Sequence, residues 1–226
     1  MQTLGNRLKT AAQFCRDGAA VADIGTDHAY LPIYLIQSGK AVRAIASDIA
    51  KGPLESARKN VVEAGLAASI ELRLGNGLST IGAHDADDIF ICGMGGLVMS
   101  EIIDSASWLK QGGKRLILQP MTKAYELRKH LFLNGFNIVA EKAVKDTKKL
   151  YTVICSEYSG NTVSDELLFY TGRLNVNEDE FAGAYLTKVC FDLSNRMIGA
   201  LANNDNILAW HLAQIKEKIE KLIADV

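Results

Sequence analysis

The sequence predicts an α/β protein, with a doubly wound, mostly parallel, Rossmann-like β-sheet followed by a C-terminal helical hairpin. Two observations lead to this fold class. Short β-branched runs alternate with helical stretches through the first 160 residues, which is typical of a parallel sheet covered by helices on both faces. Beyond Gly160 the strand pattern stops, and apolar residues recur at heptad-like spacing.

Each predicted strand is short, apolar along its length and followed by turn residues, as expected of a strand buried on both faces. The five strands of the alternating part are predicted at residues 20–25, 43–49, 70–75, 88–94 and 114–120. Helices are predicted before and between them, at residues 4–16, 30–38, 53–64, 97–108 and 123–134.

The last two strands of the sheet are predicted at residues 136–146 and 150–158. The polar turn Thr147-Lys148-Lys149 joins them. Because so short a connection can only join antiparallel neighbours, we expect the sheet to end with one antiparallel strand.

The C-terminal part contains two heptad-like seams, separated by a polar break at residues 203–206. The seam residues are Leu186, Cys190, Leu193, Met197 and Ala200, and then Leu208, Leu212, Ile215, Ile219 and Leu222. They predict an antiparallel, coiled-coil-like hairpin. We therefore divide the chain into a domain of residues 1–160, with a net charge of +3, and a helical tail of residues 161–226, with a net charge of −4. The tail is either a stabilising element or one that serves the function.

Composition excludes several classes of protein. The chain has 226 residues, of which 48% are hydrophobic and 23% charged, and this is ordinary globular composition. Its net charge of −1 excludes a uniformly basic surface, although not a local basic patch. No apolar run approaches the roughly 18 residues of a membrane span, and the N-terminus lacks the apolar core of a signal peptide. The four cysteines lie far apart, so we expect no zinc site, no other metal, and a cytoplasmic protein with reduced thiols.

The turn after the first strand, Asp23-Ile24-Gly25-Thr26-Asp27, is the most informative segment. A dinucleotide-binding turn would carry three spaced glycines here, so that backbone amides reach a pyrophosphate. This turn has one glycine, and Asp27 and Ala29 stand at the later glycine positions. An acidic side chain disfavours a pyrophosphate and favours a cationic ligand such as S-adenosylmethionine, so an NAD-binding oxidoreductase is the weaker alternative.

Polar residues and glycines also follow the next strands. Asp48 ends the second strand, where an acid can accept both ribose hydroxyls of an adenosine ligand, whether NAD or S-adenosylmethionine. Asn76 and Gly77 follow the third strand, and an Asn there can face an adenine edge. The glycine-rich end of the fourth strand, residues 93–96, leaves room for a flat methyl acceptor.

These motifs together resemble one family. The motifs are DIGTDHAYLP at 23–32, ASDI and GPL within 46–54, GNGL at 75–78, GMGG at 93–96 and LQP at 118–120. They are similar to those of the TrmK family, the bacterial tRNA (adenine-N1)-methyltransferases that act on adenine 22. The resemblance covers essentially the whole chain, and it departs at Met121, where the family motif has Asn.

The resemblance implies a class I methyltransferase domain with a coiled-coil-like extension, S-adenosylmethionine as methyl donor and tRNA as partner. We expect Asp27, His28 and Met94 to lie at the reaction centre, with Asp27 stabilising the cationic product. The candidate cofactor-binding residues are Asp23, Gly25, Thr26, His28, Asp48, Asn76, Gly77 and Gly93. The candidate tRNA-binding residues are Arg7, Tyr30, Gly95, Gln119, Pro120, Lys123 and Arg128.

A third hypothesis is a non-catalytic module whose coiled coil binds a partner, but motifs at all the expected strand ends argue against it. The sequence leaves the oligomeric state open, with a monomer favoured.

Overall fold

The computed structural model describes residues 4–224, and its centre is a seven-stranded sheet. The strands are β1 (Ala19–Ile24), β2 (Ala41–Asp48), β3 (Ile70–Leu74), β4 (Asp88–Gly95), β5 (Arg115–Thr122), β6 (Phe136–Asp146) and β7 (Lys149–Tyr158). The helices are α1 (Asn6–Gln13), α2 (Tyr30–Gln37), α3 (Lys51–Glu63), α4 (Gly96–Asp104), α5 (Ala124–Leu133), α6 (Glu166–Thr171), α7 (Ala182–Ala202) and α8 (Asn206–Ala224).

The strand order is β3-β2-β1-β4-β5-β7-β6, and β7 pairs antiparallel with both of its neighbours. The prediction of one antiparallel strand in a mostly parallel, Rossmann-like sheet is confirmed. The central strands are buried on both faces, with Ile89, Phe90 and Ile91 of β4 fully buried. This arrangement gathers the carboxyl ends of β1, β2, β4 and β5 along one edge of the sheet.

Several predicted boundaries shift. The helix predicted at residues 97–108 is two elements, because α4 ends at Asp104 and a short 3₁₀ turn follows at Ser107–Gln111. The first helix is shorter than predicted, and α6 was not predicted at all. Helix α6 nevertheless belongs to the main core, since Phe169 packs there with Phe132.

The C-terminal hairpin is confirmed: α7 and α8 pack together, and residues 203–205 separate them. Asp205 accepts a hydrogen bond from the Leu208 amide at 3.0 Å, which caps α8. The predicted seam of α8 is partly wrong, because Leu208 and Leu222 are about 40% exposed, at 39% and 41%. The buried residues of α8 are Ala209, Leu212, Ile215 and Ile219. Next to the turn, the residue that faces α7 is therefore Ala209 and not Leu208.

The hairpin also rests on the sheet. Its core contains Tyr185, Leu186 and Leu193, and this core is continuous with Ala143 of β6 and Tyr170 of α6. In the described part of the chain no helix is long and apolar enough to cross a membrane. Within residues 4–224 no cluster of three or more His, Cys, Asp or Glu side chains is arranged to hold a metal ion.

Candidate active site

A crevice of about 460 Å³ opens where β1, β2 and β4 end. In doubly wound sheets this edge is where ligands bind, because the connections on either side diverge there. Its volume is within the roughly 300–1,000 Å³ range of small-molecule sites. The lining residues are Arg7, Leu8, Asp23, Gly25, Thr26, Asp27, His28, Tyr30, Leu31, Asp48, Cys92, Gly93 and Met94.

The turn after β1 owes its shape to an unusual backbone. Gly25 has a φ of +73°, and a Cβ there would collide with the Cε of Met94. Asp27 and Ala29 also have positive φ angles, 52° and 57°. Non-glycine residues rarely adopt this conformation, and such strain clusters at functional sites. The amides of Gly25 and Thr26 both donate to the Ser47 carbonyl, which fastens the turn to β2.

Three carboxylates line the crevice, and two of them, those of Asp23 and Asp48, are buried. Asp23 is buried, and the Thr26 hydroxyl donates to it at 2.7 Å. Burial raises the pKa of Asp23 to about 6, and the nearby Asp48 charge adds to this shift, while the Thr26 hydrogen bond opposes it. The pair therefore makes the crevice suited to a ligand with positive charge.

Asp48 lies at the end of β2 with one oxygen engaged and one nearly free. Its Oδ1 accepts from the Ala50 amide at 2.9 Å, while its Oδ2 has only a long contact of 3.4 Å with the Asp27 amide. The Asp48 carbonyl accepts from the Gly75 amide at 2.9 Å, which brings the start of the Asn76-Gly77 turn to the same corner.

Asp27, His28 and Tyr30 form the outer wall. The Asp27 carboxylate is 67% exposed and lies 3.4 Å from His28 Nε2. The His28 ring stacks on Tyr30, with ring centroids 5.1 Å apart. The Asp27 carboxylate therefore lies beside the His28–Tyr30 stack and is open to solvent. It can contact a base bound there without a large desolvation cost.

The opposite wall is the end of β4. Gly93 has a φ of +80°, and the space where its Cβ would lie is open. Burial, together with the nearby Asp23 carboxylate, raises the pKa of the Cys92 thiol far above its usual range. Cys92 is therefore a neutral wall of the crevice and not a nucleophile.

Comparisons with known proteins agree with this geometry. A family described as "Methyltransferase domain" matches residues 4–154. The tRNA (adenine(22)-N(1))-methyltransferase of Bacillus subtilis (strain 168) is 36% identical over 185 residues, which is 82% of this chain and 75% of that protein. The crystal structure of the B. subtilis m1A22 tRNA methyltransferase TrmK superposes with a TM-score of 0.84 at 29% identity, covering 99% of this chain and 100% of that one.

The chain belongs to the TrmK family. A Streptococcus pneumoniae protein described with the same activity, in complex with S-adenosyl-L-methionine, has a TM-score of 0.80 at 31% identity, with 96% and 98% of the two chains covered. The TrmK fold predicted from the motifs is thus confirmed.

The crevice brings together most of the residues that the sequence singled out for TrmK chemistry. The predicted residues that line it are Arg7, Asp23, Gly25, Thr26, Asp27, His28, Tyr30, Asp48, Gly93 and Met94. Their individual roles stay predictions. Asn76 is exposed next to this lining, and Gly77, with a φ of +55°, packs its backbone against Ile102. Gly95 ends β4 and lies against Thr122.

Two predicted tRNA contacts lie under the surface. Gln119 is fully buried; its Oε1 accepts from Arg7 at 2.8 Å and its amide donates to the Pro120 carbonyl. Pro120 is buried next to it in β5. Gln119 therefore supports Arg7 from below, whereas Lys123, paired with Glu126 at 2.9 Å, is exposed.

Arg128, predicted to contact tRNA, lies under the surface of the protein. Arg128 is 1% exposed, and its guanidinium pairs with Glu141 at 2.7 Å and donates to the Tyr170 carbonyl at 3.0 Å. Its sequence position, on the helix after β5, suggested the crevice side. Helix α5 turns this residue toward β6 and the tail instead.

Three lining residues were not predicted as site residues: Leu8, Leu31 and Cys92. Leu8 follows Arg7 on α1, so the prediction for Arg7 contained a usable signal. In the sequence, Leu31 and Cys92 have the pattern of ordinary core residues. Only the structure shows that they line the crevice.

Proposed function

We propose that this enzyme transfers the methyl group of S-adenosylmethionine to N1 of adenine 22 in bacterial tRNA. The observation that carries the proposal is the crevice, with its acidic, single-glycine turn and Asp48, in a chain of the TrmK family. An NAD-dependent oxidoreductase is not favoured. The turn presents the side chains of Asp27 and Ala29 where a pyrophosphate needs bare backbone.

The residues of the crevice fit the donor. Asp48 has a nearly free Oδ2 for the ribose hydroxyls, and Asn76 lies beyond it on the adenine side. Asp23 provides negative charge for the cationic part, and Gly25 lets the ligand approach the backbone. The bound donor supplies an electrophilic methyl group to this crevice.

The protein's task at the acceptor is mainly positioning. Adenine N1 is already a nucleophile when its lone pair is free, so the base must be unpaired or flipped out of its stack. Gly93, Met94 and Gly95 leave room for the flat ring, and the stacked His28 and Tyr30 offer it a wall. Because bond formation leaves the base cationic, the Asp27 carboxylate stabilises the charge as it develops.

Arg7 is the basic residue of this crevice, held by Asp146 at 2.6 Å and by Gln119. We propose that Arg7, Lys123 and the hairpin lysines Lys148 and Lys149 take part in the tRNA surface. We place the enzyme in the cytoplasm, where its tRNA substrate is made and its four cysteines, all free, stay reduced.

The test uses the purified protein with two transcripts of one tRNA, carrying A or G at position 22. We expect methyl incorporation into the A22 transcript only, with 1-methyladenosine mapped to position 22 by mass spectrometry. Equal incorporation into the G22 transcript would refute the position, and stabilisation by NAD but not by S-adenosylmethionine would support the oxidoreductase.

A further inference from the structure

A second cavity of about 240 Å³ lies between the end of β5 and helix α7, outside the crevice. We call it the β5–α7 cleft. The residues that decide its chemistry are Lys123, Tyr151, Tyr170, Tyr185, Lys188 and Arg196. Its walls come from the sheet on one side and from the tail on the other, so both halves of the chain must be present to form it.

Two cations of α7 face this cleft beside aromatic rings. Lys188 Nζ is 5.9 Å from the centre of the Tyr185 ring, and the Arg196 guanidinium is 5.9 Å from that of Tyr170. Arg196 also donates to the Tyr170 hydroxyl at 2.8 Å. Asp192 lies between them on the helix, but within residues 4–224 neither cation forms an ion pair. Both charges therefore remain available to an anion.

Cations together with the half-buried Tyr151 ring are the chemistry that binds a nucleotide, whereas the Tyr170 and Tyr185 rings are buried and hold the two cations in place. Bases stack on aromatic side chains, and arginine and lysine neutralise phosphate. The tail has a net negative charge and six basic residues. Two of the six, Lys188 and Arg196, lie in this cleft, so the cleft is locally more basic than the rest of the tail.

Tyr151 connects the cleft to the crevice. Its ring lines the cleft, and the Arg7 guanidinium, which lines the crevice, lies 5.3 Å from the ring centre. The cleft begins at the carboxyl end of β5, and the crevice wall is the end of the adjacent strand β4. One folded RNA can thus occupy both cavities at once.

We propose that the β5–α7 cleft binds a second nucleotide of the tRNA, close to the target adenine in the folded RNA. Its base lies against Tyr151, and its phosphate binds Lys188 and Arg196. This inference rests on the proposed function and adds a subsite that fixes the tRNA relative to the crevice.

The test compares two full-length double variants with the same change of charge. Lys188→Gln with Arg196→Gln removes the cleft cations. Arg58→Gln with Lys59→Gln removes an exposed arginine and lysine from α3, which packs near the opposite edge of the sheet. We expect the cleft variant to raise the tRNA KM roughly tenfold and to reduce the slope of log affinity against log salt by about 1–2, while the α3 variant changes neither.

Two further variants test the aromatic wall. Tyr151→Leu should raise the tRNA KM, and Tyr151→Phe, which keeps the ring, should restore it. Calorimetry should give the same affinity for S-adenosylmethionine in all variants, which separates tRNA binding from damage to the crevice.

The inference fails if the cleft and α3 variants have the same tRNA KM and salt slope. It also fails if free AMP or GMP binds the cleft while the cleft variant methylates tRNA normally, because the site would then serve a free nucleotide. If the wild-type protein makes no 1-methyladenosine, the proposed function fails instead, so the two failures are distinguishable.

Discussion

At the scale of single residues, we expect Asp48 to decide whether the crevice can hold an adenosine ligand. Its Oδ2 is nearly free, while its Oδ1 supports the Ala50 amide. We expect Asp48→Ala to weaken S-adenosylmethionine binding by about 2–3 kcal/mol, because a pair of charge-assisted hydrogen bonds is lost. Calorimetry measures this change. Asp17→Ala is the control, since Asp17 is an exposed acid at the other end of β1. Unchanged affinity in Asp48→Ala would exclude the ribose role.

Asp27 should act on the reaction and not on donor binding. Its carboxylate is exposed and points along the outer wall with His28. We expect Asp27→Ala to lower the single-turnover rate of tRNA methylation at least tenfold, with little change in S-adenosylmethionine affinity. Because Asp27 has a positive φ, Asp27→Asn is the matched control for the backbone. A wild-type rate in Asp27→Ala would show that the carboxylate takes no part.

Asp23 should make both stability and donor binding depend on pH. Its folded-state pKa of about 6 lies above the ordinary value of 3.8, so the folded protein holds this proton more tightly than the unfolded chain. The contribution of Asp23 to stability is therefore full below about pH 4 and is lost as the pH rises through 6. The cationic donor should bind more tightly over the same rise, because Asp23 becomes charged.

Thermal melts and calorimetry between pH 4.5 and 7.5 test this, with Asp23→Asn as comparison. The variant keeps the size of the side chain but cannot ionise, so it should lose this part of the pH dependence. If wild type and variant show identical profiles, Asp23 does not titrate in this range.

Turn chemistry made most of the site predictable. Asp23 and Asp48 lie at the carboxyl ends of β1 and β2, and Gly25 and Asp27 follow β1. Because these strand ends meet at one edge of a parallel sheet, the proximity of the four residues follows from topology alone. Arg128 shows the limit of this reasoning. Arg128 is buried because its face of α5 packs against β6 and the tail. The local sequence around Arg128 does not show that the tail packs there.

At the scale of elements, periodicity found the strands and long helices because each buries a continuous apolar face. It missed α6, a helix of six residues that is too short to show a period. It also overextended the α8 seam to Leu208 and Leu222, because heptad spacing does not tell where a partner helix ends.

The buried pair of Arg128 and Glu141 joins α5 to β6, and the tail completes it. Glu141 also accepts from Thr152 and from the Arg173 amide, and Arg128 donates to the Tyr185 hydroxyl at 3.3 Å. We expect Glu141→Gln to lower the free energy of unfolding by about 3–5 kcal/mol, because it leaves the Arg128 charge buried without a partner.

Denaturant unfolding measures this loss. The double variant Arg128→Met with Glu141→Leu removes both charges and should recover much of the stability, since no unpaired charge remains. A Glu141→Gln protein as stable as wild type would mean that the Arg128 charge is compensated by its other partners alone.

At the scale of the whole molecule, we expect the chain to separate donor binding from tRNA placement. All residues that line the crevice precede Gly95, whereas the tail supplies one wall of the β5–α7 cleft. The net charge of −4 after residue 160 disfavours a general electrostatic grip on RNA. We therefore expect the tail to act as a shaped support with few cationic contacts.

A chain that ends after residue 181 tests this division. It keeps α6, whose Phe169 belongs to the main core, and Asp179, which accepts from the Ala143 amide. A cut at Gly160 would remove both. We expect the shortened protein to bind S-adenosylmethionine with nearly the full-length affinity, which also shows that it is folded, and to lose at least about tenfold in tRNA methylation rate.

The comparison is a full-length protein with Lys216, Lys218 and Lys221 changed to Gln, which removes the cations of α8 but keeps the shape of the tail. Two of these lysines already pair with glutamates on the same helix, Lys216 with Glu220 and Lys221 with Glu217. This variant should therefore lose much less activity than the shortened chain, because it keeps both the shape of the tail and the cleft cations Lys188 and Arg196. If the shortened chain methylates tRNA at the full-length rate, α7 and α8 only stabilise the protein, and the β5–α7 cleft cannot be a tRNA subsite.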